Sequence, residues 1–249
     1  MTLGITSLLK EFEQNKNQTK AKILSGFFKT GKGQYGEGDI FLGITVPKQR
    51  EIAKKYKHLD LTSIQTLLES KIHEHRLTGL IILTYKYNDI IKDKIDLKNK
   101  EKGKKEIFDF YIRNTKNINN WDLVDVTCYH IVGEYHLDKN RKFLYSLAKS
   151  TNLWEKRISI ISTFAFIRKK DFKDTLNIAE LLLKDKHDLI HKAVGWMLRE
   201  IGKRDEKVLK NFLDKYYKTM PRTMLRYAIE KLTSEDKEKY MNKLKNKPT

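Results

Sequence analysis

Apolar residues recur every three to four positions along most of the chain, the spacing of helices that bury one face. TSLLKEFEQN and QTKAKILSGFFKT predict two short helices near the start. Thr45 is expected to cap a third, whose first turn holds Pro47 and which continues as KQREIAKKY. Residues 31–43, GKGQYGEGDIFLG, carry too much glycine for a helix and predict a loop. GLIIL at 79–83 reads as the interior of a helix and falls far short of the ~18 apolar residues of a membrane span. The tail from about Tyr240, MNKLKNKPT, is expected to fray.

A weak repeat runs through these helices. EHRLTGLIIL, EKRISIISTF and IHKAVGWMLR each set a basic residue at the start of an apolar segment. With Arg76, Asp122, Arg157, Lys192 and Arg226 as equivalent positions, the spacings are 46, 35, 35 and 34 residues. A period of about 35 residues in helical sequence suits two-helix repeats of the HEAT or armadillo kind. One such pair cannot bury its apolar side alone, so the pairs must stack. The predicted fold is all-α: a curved solenoid of HEAT-like two-helix repeats (an α-α superhelix), forming a single domain over residues 1–249.

Stepping ~100° per residue separates two faces of the segment around Trp196. Ala193, Val194, Met197, Leu198 and Ile201 share an apolar arc, whereas Lys192, Trp196, Arg199 and Lys203 lie opposite. Trp196 is thus expected in a basic stripe, either meeting phosphates or packed against the neighbouring repeat. NNWDLVD at 119–125 divides in the same way. Leu123, Val124, Thr127, Cys128 and Ile131 form the core side; Trp121, Asp125, Tyr129 and, at the edge, Asp122 form the other. Asn119 or Asn120 is expected to cap this helix, with Asp122 complementing its positive end, worth ~0.3–1 kcal/mol. Asp125, a full turn further in, is not explained that way. Arg222 and Arg226, four residues apart after Pro221, extend a track of cations at similar positions in successive repeats.

Composition sharpens the choice of partner. Lys and Arg total 51 against 32 for Asp and Glu, a formal charge of +19, which points to a polyanion. Nucleic acid is favoured over membrane, because there is no amphipathic anchor or lipidation signal. The one cysteine, Cys128, excludes an intramolecular disulfide and fits a reducing interior. With no signal segment apparent, a cytoplasmic protein is expected.

Other motifs are set aside. Gly31, Gly33 and Gly36 match G-x-G-x-x-G but lack the strand before and the helix after that a dinucleotide site needs. His187 and His191 flank Asp188 in a distant echo of a zinc-hydrolase helix, but a third ligand and the usual Glu are missing, and Asp188 reads as a helix-start residue. His73 and His75 point in divergent directions. No metal and no cofactor is expected.

WDLVD at 121–125, NLWEKR at 152–157, KAVGWMLRE at 192–200 and FLGITVPKQR at 41–50 resemble, in order, segments of the AlkD family of DNA glycosylases. The resemblance implies a stack of HEAT-like repeats acting as a monomer on double-stranded DNA. It implies hydrolysis of the N-glycosidic bond of alkylated purines such as 3-methyladenine and 7-methylguanine, in base excision repair. By that likeness Asp125 is the catalytic carboxylate, and Trp121 and Trp196 flank the lesion. Arg157 is a DNA contact, with Arg199 and Lys192 as further candidates. The family pattern places a Tyr near the base where Phe27 or Phe28 stands here, which keeps apolar contact and removes a hydroxyl. The glycine-rich insert before Phe41 is a further departure.

The chemistry is consistent with one carboxylate. An N3- or N7-alkylated purine is already cationic, so it leaves as a neutral base without the general acid that O-glycosidases use. What remains is to stabilise positive charge developing on the sugar and to orient water. A carboxylate at ~4 Å, at an effective dielectric near 20, supplies ~4 kcal/mol, about a thousandfold in rate. Aromatic faces add ~1–2 kcal/mol of cation–π stabilisation. Two alternatives stay open: a DNA-structure-binding protein without catalysis, and a protein-interaction scaffold.

Overall fold

The computed structural model describes residues 4–94 and 96–242, which form an all-α fold with no strand among the described residues. The chain divides into two compact units, Met1–Ile131 and Val132–Thr249. The first contains α1 (Ile5–Asn15), α2 (Gln18–Phe27), α3 (Val46–Lys55), α4 (Leu61–Leu68), α5 (His73–Lys92), α6 (Leu97–Arg113) and α7 (Trp121–Asp125). The second contains α8 (Lys142–Ala148), α9 (Leu153–Ser162), α10 (Phe164–Ile167), α11 (Lys173–Leu181), α12 (Asp188–Gly202), α13 (Glu206–Tyr216), α14 (Arg222–Ala228) and α15 (Ser234–Asn242).

Side-chain caps start many of these helices. Asn17, Asp60, Asp96, Asn152 and Asp205 each accept a backbone N–H from the first turn, satisfying a donor that has no partner within the helix. Thr45 does occupy the cap position of α3, but its side chain makes no capping bond. Pro47 eases that start by removing one orphan N–H.

The first unit is organised around α5, against which α3, α4, α6 and α7 pack. Its first twelve residues, His73 to Thr84, are all buried, including His73, Glu74, His75 and Arg76. A helix enclosed on all sides loses the one-sided pattern of a surface helix, and its buried charges require partners. Glu74, fully buried, takes the backbone N–H groups of Leu42, Gly43 and Ile44 at 2.8–3.2 Å. That anion fixes the end of the glycine-rich loop. Gly43 has φ +84°, and a Cβ there would lie 2.1 Å from the Asn17 carbonyl oxygen, so only glycine fits. Residues 31–43 form the expected loop, which also makes an isolated parallel bridge from Ile40 to Ile72, the residue before α5.

In the second unit the helices that carry three of the expected repeat positions pack one on the next. α9, α12 and α14, which carry Arg157, Lys192 and Arg226, pack α9 on α12 and α12 on α14. Gly195 permits the second crossing: a Cβ would come within 2.5 Å of the Met224 carbonyl oxygen and the Tyr227 side chain. Fraying from about Tyr240 does not hold for residues 240–242. α15 continues to Asn242, and Tyr240 is buried with its hydroxyl 3.1 Å from Asp214. The remainder of that tail, 243–249, lies outside the described residues.

Candidate active site around Trp121 and Asp125

The stretch expected to be one helix is broken. α7 has five residues, a turn follows at 126–127, and Tyr129–Gly133 forms a π-helical turn, a feature frequent at functional sites. Asn120 caps α7, its side-chain oxygen taking the Trp121 N–H at 2.8 Å. The two faces nevertheless separate as expected. Leu123, Val124, Thr127, Cys128 and Ile131 are fully buried, whereas Trp121, Asp125 and Tyr129 are half-buried. Beneath them the Tyr111 hydroxyl meets Thr127 at 3.0 Å. Burial first, then the charges of Cys128 and Asp125, hold that phenol well above its ordinary range. The Asp125 charge is therefore felt from a low-dielectric floor.

Asp122 does complement the start of α7, accepting the Leu123 N–H at 2.9 Å, but it has a second partner. It is only 6% exposed, and its carboxylate meets His73 Nε2 at 2.8 Å. The other ring nitrogen of His73 lies 3.1 Å from Asp39, which also pairs with Arg76 at 2.7 Å and accepts from Asn120 Nδ2 at 3.3 Å. Burial alone would depress the pKa of His73; the Asp122 charge and the hydrogen bonds to Asp122 and Asp39 override it and raise the value to about 9. Burial likewise opposes ionisation of Asp39, but His73 and Arg76 hold its carboxyl below the ordinary range. The result is a buried, formally neutral chain, Arg76–Asp39–His73–Asp122, running from the glycine-rich loop through α5 to α7. Divergent directions for His73 and His75 are correct, yet that geometry is what places His73 against α7. The one signal in the sequence was the cluster HEHR at the head of an apolar helix, where buried charge demands partners.

Aromatic rings surround Trp121. Phe28, 7% exposed, stacks on the indole at 5.2 Å and 19° and on Phe41 at 5.1 Å and 17°. Phe27, 62% exposed, meets Trp121 edge-on at 5.9 Å. Neither Phe supplies a hydroxyl, but Tyr35 of the glycine-rich loop does: its oxygen accepts from Trp121 Nε1 at 3.3 Å. A largely apolar cavity of about 370 Å³ adjoins this cluster, lined by Phe28, Phe41, Ile44 and Pro47 and touching His73 and Asp122.

The second unit treats the remaining candidates differently. Arg157 is 4% exposed and donates to the Leu189 carbonyl, so it ties α9 to the start of α12 rather than facing solvent. Arg76, its repeat equivalent, likewise turns inward and donates to the Ser70 carbonyl at 2.9 Å. The expected track of outward cations is thus corrected at both positions, where the guanidinium is buried and donates to a backbone carbonyl instead. On α12 the wheel is right about burial: Ala193, Val194, Met197, Leu198 and Ile201 are fully buried, and Trp196 is half-buried. The basic residues of that stripe are ion-paired, however. Lys192 meets Asp188 at 2.7 Å, Lys203 meets Glu200 at 2.6 Å, and Arg199 pairs with Glu230. Trp196 Nε1 also points to Glu200, at 3.3 Å. Arg222 and Arg226 are exposed. His187 accepts the Leu189 N–H at 3.1 Å, while His191 bonds the Asp185 carbonyl at 2.6 Å. Among the described residues no group of three or more His, Cys, Asp or Glu side chains is placed to hold a metal, and no helix is long and apolar enough to cross a membrane.

Comparison with solved structures finds a chain titled "Predicted DNA alkylation repair enzyme from Enterococcus faecalis" with a TM-score of 0.66. It is 16% identical, over 88% of this chain and 98% of the other, a likeness of fold. No curated protein matches. A family profile described as "DNA alkylation repair enzyme" matches residues 8–232, nearly the whole chain. The protein therefore belongs to the DNA alkylation repair enzyme family.

Proposed function

We propose that this protein is a DNA glycosylase releasing cationic N3- and N7-alkylated purines from double-stranded DNA, with Asp125 as the catalytic carboxylate. The observation that carries the reading is the pairing of Trp121 and Asp125 on the half-exposed face of α7, whose opposite face is wholly core. Family membership supports alkylated DNA as the substrate. In this reading Asp125 stabilises positive charge developing on the deoxyribose and orients the attacking water, while the indole of Trp121 presents its π-face to the same charge. The base departs neutral, so no second carboxylate is required. HEAT-like repeats stacked as a solenoid are the scaffold this reading assumes, with the protein acting as a monomer in the cytoplasm.

DNA contacts are assigned to the exposed side of α12, at Lys192, Trp196 and Arg199, and to Phe27 beside Trp121. Their ion pairs do not oppose this role. Surface pairs are worth only ~0–1 kcal/mol, so a phosphate can replace Asp188 or Glu230 as the partner. Arg157 serves indirectly, holding the start of α12. The test is base release from methylated duplex DNA by wild type and by Asp125→Asn. Release is expected from the wild type and lost, by about a thousandfold, in the variant while DNA binding persists. Equal release by both proteins refutes the role of Asp125. Phenylalanine at both 27 and 28 favours a second reading, a DNA-structure-binding protein without catalysis. Salt-sensitive binding to bent or branched DNA with no base released supports that one.

A further inference from the structure

The glycine-rich loop is the largest feature that the proposed chemistry leaves without a task. It grips the start of α7 at three points. Tyr35 takes the indole N–H of Trp121 at 3.3 Å. Asp39 accepts from the side chain of Asn120, the same residue that caps Trp121. Through His73, Asp39 also reaches Asp122. The loop is itself tightly shaped: Gly36 donates to the Lys29 carbonyl at 3.2 Å, and a Cβ at Gly36 would lie 2.4 Å from the Phe28 carbonyl oxygen. Glycine lets the loop lie directly against the end of α2, which brings Tyr35 over Phe27, with the Tyr35 hydroxyl 3.5 Å from the Phe27 carbonyl. Tyr35 is half-buried although residues 31–34 before it are exposed.

We propose that residues 31–43 are a positioning strap for Trp121, in which the Tyr35 hydroxyl sets the orientation of the indole in its plane. Stacking on Phe28 and the edge contact from Phe27 fix the plane of the ring but leave it able to slide and turn within that plane. A hydrogen bond at the N–H edge removes that freedom. Tyr35 is a positioning residue, acting through Trp121 on the face that carries Asp125. Its consequence for rate rests on the glycosylase reading; its consequence for the indole does not.

Tyr35→Phe keeps the ring and deletes only the hydroxyl. The protein has three tryptophans, so its ¹⁵N–¹H spectrum carries three indole N–H signals, and Trp121→Phe identifies the relevant one. In Tyr35→Phe the Trp121 signal is expected to move while those of Trp154 and Trp196 stay. Single-turnover release of methylated base is expected to fall roughly three- to tenfold, the loss of one hydrogen bond, with DNA affinity nearly unchanged. An unmoved Trp121 signal overturns the strap, and so does a moved signal with an unchanged single-turnover rate. A wild-type protein that releases no base defeats the glycosylase reading alone. The indole signal then decides the strap: movement supports it, and no movement overturns it.

Discussion

Raising the pH should weaken the fold through one residue, His73. Its pKa is raised from 6.5 to about 9 because, although burial disfavours the cation, the Asp122 carboxylate and the hydrogen bonds to Asp122 and Asp39 favour it more strongly. The folded state therefore holds this proton more tightly than the unfolded chain does. That stabilisation is complete below about pH 6.5 and is lost as pH rises through about 9. The interval between the two values corresponds to ~3 kcal/mol, a large share of the ~5–15 kcal/mol that holds a typical domain. The assay is denaturant unfolding of the wild type and His73→Gln across this range, read as a difference between the two profiles. Subtraction removes other titrating groups, such as Lys86, whose pKa burial lowers. Glutamine cannot carry the charge, so its profile should lack the alkaline loss. It should also start ~3–5 kcal/mol lower, since Asp39 and Asp122 are left without their shared cation. Parallel profiles for the two proteins would refute the account of His73 as a buried imidazolium clamp.

Glu74→Gln should destabilise the protein by ~2–3 kcal/mol in the same unfolding assay. Oε1 accepts from Leu42, Gly43 and Ile44, and a glutamine oxygen can keep that place, but the charge is lost and an NH₂ group replaces Oε2, facing the Leu42 N–H. Amide exchange should quicken most at Leu42, the one N–H that meets Oε2. Gly195→Ala should cost ~1–3 kcal/mol, because the added methyl meets backbone at the α12–α14 crossing, where little can give way. A stability equal to wild type would show that the crossing is looser than its contacts imply.

Periodicity alone was enough for much of this protein. The short N-terminal helices, the loop at 31–43, the interior of α5 and the sorting of α12 into core and open faces follow from local spacing, because a helix buries whatever falls on one side of it. The partition of NNWDLVD into a core side and a Trp121–Asp125 side followed too, even though the helix breaks after Asp125. A break shifts the register slightly, but a side chain that must leave water still does so. The likeness of WDLVD, NLWEKR, KAVGWMLRE and FLGITVPKQR to a repair family was also legible, and the family is the one to which the chain belongs.

Side-chain partners were beyond that kind of reading. Nothing local tells that Asp122 faces His73 49 residues earlier, that Asp39 bonds Asn120 across 81 residues, or that Tyr35 reaches Trp121 across 86. Repeat spacing and helical stepping placed cations on an open face, yet Arg76 and Arg157 are buried and the α12 stripe is neutralised by Asp188, Glu200 and Glu230. The physical reason is one of range. Helix and loop are chosen by neighbours a few residues apart, so the chain's own order records them. Whether a charge is buried, paired or open to a phosphate depends on which distant segment packs against it, and only the folded chain decides that.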